Sequence, residues 1–111
     1  MPIINVFSSD KTKLTELQNS VPKIKQFLAD KLTCKDIALS PQEISIRFID
    51  VLENGMLGTV EIDITAHSFQ ERIERQDEIC REVKKFIEDQ WPTTGNVRVW
   101  LKLVELGHDA N

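Results

Sequence analysis

The chain has 111 residues with 41% hydrophobic and 29% charged content, a formal net charge of −4 and a pI near 5.2. That length suits one domain spanning residues 1–111 and excludes two, and the acidic balance with scattered Lys and Arg argues against a nucleic-acid partner, because phosphate binding needs a basic surface. No apolar run approaches the ~20 residues that span a bilayer, and no basic stretch precedes an apolar one at the N-terminus, so a cytoplasmic protein with no membrane partner is expected.

Residues 3–7 (Ile-Ile-Asn-Val-Phe), β-branched and apolar, predict a first strand. Ser8, Ser9 and Asp10 offer N-cap oxygens for the helix that follows. Leu14, Leu17, Val21, Ile24, Leu28 and Leu32 recur at spacings of three and four, the apolar stripe of an amphipathic helix. Pro22 removes a donor and crowds the Gln18 carbonyl, yet the apolar phase runs through it, which predicts a kinked or two-part helix. Ser40-Pro41 closes the connection. Residues 44–52 predict a second strand with Ile44, Ile46 and Phe48 on one face and Ser45, Arg47 and Ile49 on the other. Asn54-Gly55 and Gly58 read as the turn of a hairpin into a third strand over 59–66, where Val60, Ile62 and Ile64 alternate with Glu61, Asp63 and Thr65. Ser68 is the expected cap of a second helix whose apolar positions include Phe69, Ile73, Ile79, Val83, Phe86 and Ile87, and Pro92 and Gly95 end it. Residues 96–105 predict the last strand, with Val97, Val99, Leu101 and Leu103 opposite Arg98, Trp100 and Lys102.

The order β-α-β-β-α-β describes an α/β fold of two βαβ units, pseudo-repeats 2–53 and 59–106, giving a four-stranded sheet with both helices on one face. Ile46-Arg47-Phe48 in the first unit matches Val97-Arg98-Val99 in the second, and each arginine is followed by a glutamate, Glu53 or Glu105. The face without helices carries Arg47, Ile49, Val51, Glu61, Asp63, Thr65 and Trp100, half apolar and half charged. Such a face seldom stays bare in a small monomer, and closing several sheets around an axis would bury its apolar part, so an oligomer is predicted. Cys34 and Cys80 stand outside any CxxC pair and read as two free thiols. His67 and His108 have no ligand-spaced partner, so neither a metal nor another cofactor is expected.

Met-Pro-Ile-Ile-Asn-Val, a strand that opens at Pro2, resembles the start of tautomerase superfamily proteins, whose mature chains begin with proline. Residues 40–49 (Ser-Pro-Gln-Glu-Ile-Ser-Ile-Arg-Phe-Ile) are similar to the segment entering the second strand of those proteins, and Ser45-Ile46-Arg47 matches the Ser-Val-Arg of the 4-oxalocrotonate tautomerase pattern. The Arg75-Gln76 region looks like that of 5-carboxymethyl-2-hydroxymuconate isomerases, and the doubled element order is also that of proteins resembling macrophage migration inhibitory factor. The resemblance covers nearly the whole chain, through element order and length as much as identity. It implies a homotrimer and a cofactor-free isomerase acting on a small carboxylate-bearing keto or enol acid. Lys11, Thr12 and Lys13 stand where the 4-oxalocrotonate pattern has an arginine, which argues against its familiar dicarboxylate substrate.

In that chemistry Pro2, freed by removal of Met1, is the general base; an acylated proline nitrogen has no basicity, whereas a free amine in an apolar or cationic setting has a lowered pKa and can carry a proton across a conjugated acid. The resemblance assigns Arg47 and Arg98 to the substrate's carboxylate or developing enolate, and Trp100 to an apolar wall contributed across a subunit interface. Interface ion pairs for the arginines and oligomer core for the tryptophan are the plain structural alternatives. Arg72 and Arg75 stand among Glu71, Glu74 and Glu78 and read foremost as helix-surface ion pairs. His67 reads as turn-lining, and residues 105–111 as a tail. Beside the isomerase stand a non-catalytic trimeric binding protein of the same fold, and a hydrolytic dehalogenase or decarboxylase that would need a water-activating acid such as Glu61 or Glu105 beside the proline.

Overall fold

The computed structural model describes residues 2–52 and 55–105; Asn54 of the expected turn, Glu53, and the tail from Leu106 onward lie outside them. In chain order the elements are β1 (Ile3–Ser8), α1 (Lys11–Gln18), α2 (Val21–Leu32), a 3₁₀ turn at Pro41–Glu43, β2 (Ser45–Asp50), β3 (Val60–His67), α3 (Gln70–Glu74), α4 (Gln76–Gln90), a 3₁₀ turn at Pro92–Thr94 and β4 (Val97–Val104). The strands form one sheet in the order β2-β1-β3-β4. β1 runs parallel to β2 and antiparallel to β3, and β3 runs parallel to β4, so each βαβ unit contributes a parallel pair.

The predicted hairpin does not form. β2 and β3 are not neighbours; β1 lies between them. The antiparallel pairing at the centre joins β1 to β3, whose residues alternate between buried and half-buried along their whole length. Ile4 and Val6 there pair with Ile64 and Ile62 over the core, all four at most 3% exposed.

The first helix is in two parts, as Pro22 requires. α1 stops at Gln18, and Pro22 falls in the first turn of α2, where its missing N–H would have had no helical acceptor. Asp10 caps α1, accepting from the Thr12 N–H at 2.9 Å. Ser8 instead is buried, with its hydroxyl donating to the Thr59 carbonyl at 2.8 Å. The second helix departs further from its pattern. Ser68 does not cap it: its N–H is spent on the Val104 carbonyl at 2.9 Å, so the chain is still extended there and Phe69 becomes the N-cap without a side-chain bond. The helix breaks at Arg75, and Ile73, expected in the core, is 46% exposed.

The core lies between the helices and one sheet face. Leu14, Leu17, Ile24, Leu28 and Leu32 pack with Ile79, Val83 and Ile87 over Ile4, Val6, Ile62, Ile64 and Val97. Phe27 of α2 stacks on Phe86 of α4 with ring centroids 3.9 Å apart. Both cysteines are free thiols.

Candidate active site

Pro2 sits one residue before β1, in phase with Ile4 and Val6, so its ring faces the helices and is less than 2% exposed. Its carbonyl accepts the Ser45 N–H at 3.1 Å, continuing the β1–β2 ladder. The register Ile3↔Thr65 places it level with Ala66, one residue short of His67 at the end of β3. Ile44, Ile64 and Ala66 at this sheet end are all buried, so the proline has an apolar setting.

A cation stands at the same end. Arg72 of α3 is 3% exposed and forms no ion pair among the described residues. Its Nε and Nη2 donate to the Leu32 carbonyl at 2.9 and 2.7 Å, and its Nη1 donates to the His67 carbonyl at 2.9 Å. The helix-surface ion pair expected of Arg72 is therefore absent: the side chain turns inward and donates to the carbonyls at the C-terminal ends of α2 and β3. Burial pushes its guanidinium pKa below the ordinary value. Phe69 lies 5.0 Å beneath the guanidinium carbon. Arg75 does take the expected role, pairing with Glu78 at 3.0 Å and Glu82 at 3.9 Å. The place of Arg72 was visible as a charged residue in the inward phase 72-76-79-83 of an amphipathic helix, a position that calls for a buried partner.

The uncovered sheet face is ordered in rows. Ser45, Ile3, Thr65 and Lys102 stand level with one another; Arg47, Asn5, Asp63 and Trp100 form the next row; Ile49, Phe7, Glu61 and Arg98 form the third. Arg47 and Trp100 thus share a row, at opposite edges of the sheet. Arg47 and Arg98 are three strands apart, about 14 Å at a strand spacing near 4.8 Å. Arg98 is level with Phe7, five residues from Pro2, or about 17 Å along the strand. One copy of the chain therefore does not bring Pro2, Arg47, Arg98 and Trp100 together; Lys102 is the basic residue of this face nearest the proline's level. Trp100 and Ile49 remain 44% and 36% exposed.

A cleft of about 540 Å³ is lined by Phe7, Glu61, Asp63, Trp100 and Lys102, with Gln76 of α4 at its border. Glu61 does not face the proline: at the far end of β3 its Oε2 accepts the Leu57 and Gly58 N–H groups at 2.6 and 3.4 Å. His67 meets Phe69 edge-on, with centroids 4.7 Å apart. Among the described residues no group of His, Cys, Asp or Glu is placed to hold a metal ion, and no helix is long and apolar enough to cross a membrane.

The sequence matches no protein-family model and no curated protein. Solved structures are similar in fold. A protein of unknown function from Vibrio cholerae superposes with a TM-score of 0.66 at 12% identity, over 99% of this chain and 83% of that one. A macrophage migration inhibitory factor-like protein from Entamoeba histolytica gives 0.59 at 14% identity, covering 99% and 96%. A fused 4-OT asymmetric trimer gives 0.62 at 12% identity, covering 98% and 94%. At these identities the likeness is one of architecture: the chain shares its fold with a macrophage migration inhibitory factor-like protein and with a fused 4-OT trimer.

Proposed function

We propose that the chain is a cofactor-free tautomerase that moves a proton within a small carboxylate-bearing keto or enol acid, with Pro2 as general base once Met1 is removed. The observation that carries this is the position of Pro2: a proline in second place that opens the first strand at an apolar sheet end, on the same fold as the trimeric 4-OT and the inhibitory-factor-like protein. Apolar surroundings disfavour a protonated amine and so favour the free base that the reaction needs.

The site needs more than one copy. Arg98 and Trp100 lie too far from the proline of their own chain, so they act on the proline of a neighbour in a homotrimer, where the exposed Trp100 and Ile49 also find cover. Arg98 holds the carboxylate through charge-assisted bonds, Trp100 walls the pocket, and Arg47 stabilises the enolate or the interface. A non-catalytic binding trimer is favoured by one fact, the complete burial of the Pro2 ring, which within one copy leaves substrate no approach from the helix side.

Ketonisation of phenylenolpyruvate tests the choice, with intact mass establishing whether Met1 is absent. Wild-type activity that falls at least 100-fold both in Pro2→Ala and in protein retaining Met1 is the expected result. Equal activity in all three forms rules out proline catalysis, and no activity in correctly processed wild type favours the binding protein.

A further inference from the structure

β4 is an edge strand, yet part of its outer rim is already occupied by α4. Gln76, Cys80, Lys84 and Glu88 recur every four residues along one helix face. Gln76 Nε2 donates to the Leu101 carbonyl at 2.8 Å, and the Cys80 thiol stands beside the Leu101 N–H. Lys84 Nζ donates to the Val97 carbonyl at 2.6 Å, and the Val97 N–H donates to Glu88 Oε2 at 3.0 Å. The carbonyls of Asn96 and Val104 point the other way, into β3, accepting from Thr59 and Ser68 at 2.9 Å each. Outward backbone groups alternate, so Val99 shares the side of Val97 and Leu101. It is an open rung between two sealed ones.

A groove of about 440 Å³ lies at that rung. Arg81, Lys84 and Arg98 line it with Asn96 and Val99, and no carboxylate does. Lys84 is committed to Glu88, 2.8 Å away, and to Asn96 Oδ1 at 3.3 Å. Arg81 and Arg98 are exposed, and neither guanidinium forms an ion pair or hydrogen bond with a described residue. Two unneutralised guanidinium groups facing one groove repel each other, and an anion between them removes that cost while gaining charge-assisted bonds. A partner strand is a poor occupant, because strand addition needs consecutive free rungs and here the rungs on both sides are filled. A single oxyanion needs only one N–H and the flanking cations.

We infer that this groove is an anion site, in which the Val99 N–H and the guanidinium groups of Arg81 and Arg98 hold a small oxyanion, either a carboxylate or a phosphate. The site shares Arg98 with the proposed substrate pocket but concerns equilibrium binding and needs no proline chemistry. The sealing side chains confine the ligand to something the size of one acid group.

The test is a ¹⁵N-resolved titration of the full chain at constant ionic strength, with inorganic phosphate in one series and malonate in another. A saturable movement centred on the Val99 amide is expected in at least one series, and the tighter series identifies the source of the oxyanion. Arg81→Gln is expected to raise the midpoint at least fivefold, and Lys25→Gln on α2 to leave it unchanged. A stationary Val99 amide in both series overturns the proposal, as does a movement that never saturates or an unaltered midpoint in Arg81→Gln. Should Arg81→Gln fail to fold, the wild-type Val99 response decides alone. Pro2→Ala keeps the Val99 response if the groove binds, whatever becomes of catalysis, so the two proposals fail separately.

Discussion

Arg72→Met removes the buried guanidinium while nearly keeping its volume, and its cost follows from the atoms left behind. The substitution strips the Leu32 carbonyl of two donors and the His67 carbonyl of one. An orphaned buried carbonyl costs about 1–3 kcal/mol. Loss of the cation over the Phe69 ring adds about 0.5–1 kcal/mol. Relief from burying a charge offsets part of this, leaving a net loss of about 3 kcal/mol. With a urea m-value of about 1.5 kcal/mol/M the unfolding midpoint then falls by about 2 M. Chain concentration must be equal in all samples, because an oligomer's midpoint depends on it. Arg72→Lys, which can reach one carbonyl but not both, should fall between wild type and Arg72→Met. Midpoints of both variants within about 0.3 M of wild type would refute the reasoning, since water would then be satisfying the carbonyls as well as the guanidinium does.

Acid should unfold the protein through its capped and paired carboxylates. Asp10 is held below its ordinary pKa by the Lys13 side chain, Glu43 by the Ser40 backbone N–H, Glu82 by Lys31 and Glu88 by Lys84. Folded values below unfolded ones give stability that is present above about pH 4.5 and is lost as the pH falls through the folded values; a Tm that drops mainly between pH 7 and 5 would contradict this. Gly58→Ala should cost about 1–3 kcal/mol in urea titration, because its Cβ would come 2.7 Å from the Asn96 carbonyl oxygen and 2.9 Å from Arg98 Cγ; an unchanged midpoint would mean that the backbone yields freely there. Phe86→Ala breaks the stack on Phe27 and the edge contact with Trp91, 5.7 Å between centroids, and should cost about 3 kcal/mol by the same assay. A loss under about 1 kcal/mol would show that α2 and α4 close over the gap.

Local signals carried most of the element order. Alternation in β3 and β4 reached the right faces because side chains on a strand point to opposite sides whatever the strand's neighbours are. Pro22 marked the break between α1 and α2 because its effect is confined to its own turn. Pro2 was legible as a strand opener beside apolar residues. Pairing was not local: Asn54-Gly55 reads as a hairpin turn, yet β1 takes the place beside β3, a pairing between segments distant in the chain. The same limit applied to charge. Glu71, Glu74 and Glu78 surround Arg72 in the chain, but carbonyls from α2 and β3, brought near only by folding, claim it.

The sequence by itself determined the two βαβ units, the apolar phase of each element and the proline at the head of the first strand, because these depend on residues within a few positions of one another. Only the tertiary structure decided the strand order, the inward turn of Arg72, the sealing of the β4 edge by α4 and the separation of Arg47 and Arg98 to opposite edges. Each of those rests on contacts between segments distant in the chain, whose outcome is set by competition for buried hydrogen-bond partners and not by local pattern.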